Sequence, residues 1–168
     1  MKVKDIMTSR TLKSCSPETK LQSAAKTMKA ANCGALPVVD KNKNVVGLVT
    51  DRDIALSLTK RQSKTAEPLA VSDVMSKKVH TIQTEDEVST ALRQMRLKQV
   101  GRVPVVDAQG KLKGMVTMHN LIAKASDEPN ASVEVGTIAA QGENLIKTIQ
   151  SLTARYTKTN GKSRRNKK

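Results

Sequence analysis

A chain of 168 residues has room for one compact domain, or two small ones sharing a core. Hydrophobic residues make up 38% of it but aromatics only 1%, Tyr156 being alone, so any core is built from Val, Ile, Leu, Met and Ala. The formal charge is +15; base-stacking platforms for single-stranded nucleic acid are excluded by the near absence of aromatics.

No apolar run approaches the length needed to span a membrane, and Met1-Lys-Val-Lys-Asp5 lacks the apolar core of a secretory leader. Cys15 and Cys33 have neither metal-like nor redox-like spacing. They are expected as small buried apolar side chains in a reducing cytoplasm. His80 and His119 stand alone and make no metal site.

In chain order, a helical lead-in over 4–7 precedes a short strand at 13–16. Thr19-x-x-Gln22 has the form of a capping box and predicts a helix over 20–31, with Leu21, Ala24, Ala25 and Met28 as its apolar stripe. Asn32 to Gly34 suits a left-handed helix exit. Strands are expected at 36–39 and 45–49 around a polar turn, then a helix over 51–58 capped by Thr50. After a polar linker ending near Pro68 the plan repeats. Thr81 and Ile82 lie on the first strand, and helices at 87–98 and 119–125 flank strands at 103–106 and 112–116. From Val133 to Tyr156, Ile138, Leu145, Ile149 and Leu152 keep near-helical spacing and predict a final amphipathic helix. The stretch from Arg155 to Lys168 holds seven Lys or Arg and no acid, so the +15 less those seven leaves +8 on the body. Such a tail is too polar to fold alone. It suits nucleic acid, an anionic membrane surface or an acidic partner, or is a solvated terminus.

The plan repeats because the sequence does. GALPVVDKNKNVVGLVTDRD, residues 34–53, returns as GRVPVVDAQGKLKGMVTMHN, residues 101–120, at a spacing of 67. Leu21, Ala24 and Met28 return as Val88, Ala91 and Met95 at that spacing, and Val3-Lys-Asp-Ile-Met7 returns as Val71-Ser-Asp-Val-Met75, one residue out of step.

These paired Gly-x-x-Pro and Thr-x-x-Asp-like stretches resemble two cystathionine-β-synthase (CBS) domains in tandem, a Bateman module. The resemblance implies an α/β (α+β) fold of two β-α-β-β-α repeats packed through their sheets with pseudo-twofold symmetry, joined here by a C-terminal helix. The organisation is repeat one at 1–60, a linker at 61–70, repeat two at 71–127, a loop and helix at 128–156, and a basic disordered tail at 157–168. It also implies a regulatory protein that is not an enzyme and needs no obligatory cofactor. Its regulatory ligand would be an adenine nucleotide, AMP, ADP or ATP, held in two clefts between the repeats. The first cleft would take Leu48, Thr50 and Asp53 with Thr81, Ile82, Arg102, Val103, Pro104 and His119. The second, weaker, would take Met115, Thr117 and Asn120 with Ser14, Cys15, Ala35, Leu36, Pro37 and Arg52.

Side-chain chemistry assigns roles within that implied cleft. Asp53 can accept from ribose hydroxyls, Thr50 and the helix start it caps can donate to a phosphate, and Arg102 offers a planar fork of donors. Ile82, Val103 and Leu48 would sandwich the adenine. Asn120 and Ala35 replace the charges of Asp53 and Arg102 in the second cleft, weakening it. Thr50-x-x-Asp53 is equally an ordinary capping box, and Arg102 a solvated strand end. No nucleophile–base pair or paired acids with catalytic spacing are visible. A homodimer is expected from apolar helix residues such as Met28 and Met95. Two other readings stay open: a nucleic-acid-associated protein acting through its tail, and a dimerisation scaffold with empty clefts.

Overall fold

The computed structural model describes residues 1–59 and 68–127, together with Lys147. The predicted linker at 61–70 is therefore described only from Pro68 onward, and the C-terminal helix and the basic tail lie outside the described residues.

The architecture is mixed α/β. In order, a 3-10 turn at Val3–Asp5 leads to α1 (Leu21–Ala30), β1 (Ala35–Val39), β2 (Val45–Thr50) and α2 (Asp51–Thr59). A second 3-10 turn at Val71–Asp73 leads to β3 (Ile82–Gln83), α3 (Val88–Lys98), β4 (Arg102–Val106), β5 (Leu112–Thr117) and α4 (Met118–Asp127). One sheet pairs β1 with β2; the other has the order β3-β4-β5.

Two compact units emerge. Among the described residues, the first holds Thr8–Thr81 and Pro104–Gly114; the second holds Met1–Met7, Ile82–Val103 and 115–127. Each lead-in turn therefore belongs with the other repeat's helix. In the first unit Val71 N donates to Thr19 O (2.8 Å), Ser72 N to Pro17 O (2.9 Å), and Leu21 N to Leu69 O (3.0 Å). In the second, Val3 N donates to Asp86 O (2.9 Å), Lys4 N to Thr84 O (3.1 Å), and Val88 N to Met1 O (3.0 Å). The duplication is thus reproduced bond for bond with the lead-ins exchanged.

That exchange explains why the expected capping box at Thr19 does not form. A helix start must satisfy its first N–H groups somehow. In α1 the Leu21 N–H is met by the Leu69 carbonyl, and Lys20 at the N-cap makes no side-chain cap. The Thr19 hydroxyl instead accepts from Ser16 N (3.1 Å).

The first unit's core gathers Leu21, Ala24, Met28, Leu36, Val38, Val49 and Val71. Ala25, expected on the α1 stripe, is exposed. In the second unit Val3, Ala91, Met95 and Val116 are fully buried. Met28 and Met95 are 5% and 0% exposed, so they cannot supply the dimer surface expected of them. The large exposed apolar residues are Met1, Leu56, Leu58, Leu97 and Ile122 among those described. Both cysteines are free and half-buried against the first core rather than enclosed by it.

The strand expected at 13–16 reduces to one parallel bridge, Cys15 to Val38. It still widens the sheet: Cys15 N donates to Pro37 O (3.1 Å) and Val39 N to Cys15 O (2.9 Å). On the far side Leu48 exchanges both backbone bonds with Ser76 (3.1 and 2.9 Å). Pro37 pairs with Leu48 across β1 and β2. Since Leu48 turns its N–H and C=O toward Ser76 and Cys15 uses only the Pro37 carbonyl, the missing N–H of proline leaves no ladder bond unmade.

Helix exits and hairpin turns also repeat. Asn32 (φ 48°) and Gln99 (φ 52°) end α1 and α3 in the left-handed region, and the next residues' N–H groups reach back to Met28 O (2.9 Å) and Met95 O (3.0 Å). In the turns, Asp40 Oδ1 accepts from Asn42 N and Asn44 N, as Asp107 Oδ1 does from Gln109 N and Lys111 N. The two hairpin tips, both in the first unit, are joined by an Asn44–Lys111 bridge and by Leu112 N donating to Lys43 O (3.0 Å).

Candidate functional site

The sharpest local geometry lies where each hairpin runs into a helix. At the β2–α2 junction Thr50 and Asp53 form a closed box. Thr50 N (2.9 Å) and Thr50 Oγ1 (2.7 Å) both donate to Asp53 Oδ2, and Asp53 N returns to Thr50 Oγ1 (3.1 Å). The capping role expected of Thr50 is present, with Asp53 at the third helical position. Asp53 Oδ1 accepts no hydrogen bond among the described residues. The Thr50 hydroxyl hydrogen is committed to Asp53, and the first N–H groups of α2 are taken as well, Arg52 N by Asp51 Oδ1 (2.7 Å) and Asp53 N by Thr50 Oγ1.

The β5–α4 junction builds the same box with an amide. Thr117 N (2.8 Å) and Thr117 Oγ1 (2.7 Å) donate to Asn120 Oδ1, and Asn120 N returns to Thr117 Oγ1 (3.3 Å). Because Thr117 N can only donate, the Asn120 carbonyl oxygen must face the box. The second terminal atom is then Nδ2, a donor, where Asp53 has an acceptor. Both junctions are anchored alike, Asp51 N donating to Gly34 O (3.2 Å) and Met118 N to Gly101 O (3.0 Å).

Of the residues expected in the first cleft, Leu48, Thr50, Asp53, Thr81 and Pro104 fall in the first unit; Ile82, Arg102, Val103 and His119 fall in the second. For the second cleft, Ser14, Cys15, Ala35, Leu36, Pro37 and Arg52 belong to the first unit; Met115, Thr117 and Asn120 to the second. Within the first unit the sheet brings several together: Ala35 pairs with Thr50, Pro37 with Leu48, and Cys15 bridges Val38. Burial sorts what they present. Leu36 and Val103 are 0% exposed and Ile82 2%, so these side chains are core, and of the expected adenine sandwich only half-buried Leu48 keeps surface. Arg52, His119 and Ser14 are exposed; Arg102 is half-buried.

The first unit contains two cavities. One, of about 590 Å³, lies between Ser14–Glu18 and the 39–43 turn; the other, of about 470 Å³, lies between α1 and α2 beside Met28, Cys33 and Ile54. Ser14 and Cys15 line the larger cavity. Burial pushes the Cys15 thiol up to about 11, which keeps it protonated and un-nucleophilic at neutral pH. No cluster of His, Cys, Asp or Glu suited to a metal occurs among the described residues. Nor, among them, is any helix long and apolar enough to cross a membrane.

A duplicated β-hairpin-and-helix unit with a Thr-x-x-Asp or Thr-x-x-Asn box at each hairpin–helix junction defines the CBS pair. The CBS domain family matches this chain twice, at residues 3–60 and 71–127, and the chain belongs to that family. A CBS domain-containing protein of Dictyostelium discoideum is 36% identical over 128 residues, covering 71% of this chain and 88% of its own length. Among solved structures, the CBS-pair protein CBSX2 of Arabidopsis thaliana, crystallised in complex with AMP, superposes with a TM-score of 0.65 at 32% identity, covering 75% of this chain and 96% of that one. A CBS domain pair solved with 5′-methylthioadenosine and S-adenosyl-L-methionine gives a TM-score of 0.68 at 25% identity, covering 76% and 98%.

Sequence reasoning found both boxes because each joins residues only three positions apart. It missed the lead-in exchange, for which identical Val-x-Asp-x-Met runs offer no signal as to which repeat they serve.

Proposed function

We propose that this chain is a regulatory module that binds an adenine nucleotide in the cleft carrying Asp53. The observation that supports it is the Asp53 carboxylate: Oδ2 is held by Thr50, while Oδ1 accepts nothing among the described residues and can take a ribose hydroxyl. Arg102 would receive the phosphate, and half-buried Leu48 one face of the base. Ile82, Val103 and Pro104 would contribute through backbone groups, since their side chains are enclosed. The AMP complex of CBSX2 supports the ligand class. The Asn120 cleft, where a neutral amide replaces the carboxylate, binds more weakly. The module acts as a homodimer in the cytoplasm.

A thermal-shift panel with AMP, ADP, ATP, S-adenosylmethionine and RNA tests this reading. A nucleotide-dependent rise in melting temperature that Asp53→Asn removes is the expected result. Stabilisation by RNA alone points to the tail, and no shift with any ligand points to an empty scaffold.

A further inference from the structure

The outer face of α3 is basic and carries an exposed leucine. Arg93 and Leu97, one helical turn apart, are both exposed, and Lys98 follows; Leu97 keeps 64% of its surface open. Arg96 adds a third positive charge, and the helix contains no acid. An exposed aliphatic set among cations is complementary to a segment that is both apolar and acidic.

One stretch outside the described residues has that character. Residues 125–146 contain no Lys or Arg, the longest such run in a sequence with 30 of them. Within it, 128–146 carries Glu128, Glu134 and Glu143 beside Val133, Val135, Ile138, Leu145 and Ile146. These residues lie outside the described structure. Their point of departure is well placed: α4 starts where Met118 N bonds Gly101 O, three residues beyond the end of α3. Ten residues of α4 advance the chain by roughly 15 Å. Nineteen further residues can reach as far as about 60 Å when extended, ample to return.

We propose that residues 128–146 dock on the Arg93–Leu97–Lys98 face of α3, their acids against its cations and their aliphatics over Leu97. Charge complementarity selects this occupant over a second copy, whose α3 would bring like charge against like.

Hydroxyl-radical footprinting of the full chain tests the proposal, because Leu58 is an internal control of equal openness, 67% against 64% for Leu97. Leu97 is expected to oxidise several-fold more slowly than Leu58. The triple variant Glu128→Lys, Glu134→Lys, Glu143→Lys should bring Leu97 up to the Leu58 rate. Fully buried Leu36 should stay unmodified in both proteins, reporting an intact fold. Equal rates for Leu97 and Leu58 in the parent chain overturn the proposal. So does protection of Leu97 that survives charge reversal; if that protection disappears on dilution, the cover is a second copy.

Discussion

Thr50 and Asp53 hold each other through a single carboxylate oxygen. Asp53 Oδ2 takes both the amide (2.9 Å) and the hydroxyl (2.7 Å) of Thr50, leaving Oδ1 outside the box. Asn120 fills the same position against Thr117 at 2.8 and 2.7 Å. The two junctions are matched in backbone and differ in the terminal atom left outside the box, a carboxylate oxygen at Asp53 and an amide nitrogen at Asn120.

The chain therefore carries its own control for mutating Asp53. Asparagine supports this box at position 120, so Asp53→Asn should leave the melting temperature nearly unchanged. AMP affinity should fall by the cost of losing a charge-assisted hydrogen bond, about 1.5–3 kcal/mol. Titration calorimetry on both proteins checks this. The converse change, Asn120→Asp, should tighten the second cleft, and unaltered affinity in Asp53→Asn would count decisively against the assignment.

A second prediction concerns Gly47, on β2 opposite Val38. A Cβ there would stand 2.5 Å from Met75 Sδ. Met75 follows the exchanged lead-in and packs on the first core. Its side chain is flexible enough to yield, so Gly47→Ala should cost roughly 1–3 kcal/mol, as overpacking does. In a Met75→Ala background the same substitution should cost less. Denaturant unfolding of the four proteins in the cycle gives the coupling; strict additivity would show that Met75 is not what Gly47 makes room for.

Local features were readable and long-range ones were not. Thr50–Asp53 and Thr117–Asn120 each join residues three apart, and the left-handed exit at Asn32 follows from side-chain type, so pattern sufficed. Thr19-x-x-Gln22 had equally good form and failed, because the Leu69 carbonyl, far along the chain, satisfied the helix start instead. Met28 and Met95 looked like surplus apolar surface for a partner because their own lead-in-bearing cores could not be assembled from sequence. Among the residues expected at the clefts, exposure was not legible, because the core has already taken the side chains of Leu36, Ile82 and Val103.

A third prediction follows from Cys15. Burial raises its thiol from 9.0 to about 11, so the folded chain holds this proton more tightly than the unfolded one. The resulting stabilisation is fully present below pH 9 and is lost as pH rises through 11. Alkylation of Cys15 in the native protein should be slow at pH 8 and accelerate toward pH 11, and Cys15→Ser should flatten the alkaline fall in melting temperature. An alkaline fall of undiminished size in Cys15→Ser would assign it to other groups.

The last prediction tests the exchange of lead-ins. Val71 and Val3 are both 0% exposed. Val71 belongs to the core around α1, and Val3 N is bonded to Asp86 O just ahead of α3. Truncating either to Ala removes part of the roughly 1.5–3 kcal/mol that burying a valine contributes, but the loss should appear in different places. Hydrogen exchange followed by peptide should show Val71→Ala speeding exchange chiefly in α1, residues 21–30, although Val71 opens the second repeat in sequence. Val3→Ala should act chiefly on α3, residues 88–98, although it lies in the first. Native conditions are required, so that local openings are read rather than global unfolding. The reverse pattern, each valine acting on the helix of its own repeat, would mean that the lead-ins are not exchanged in solution.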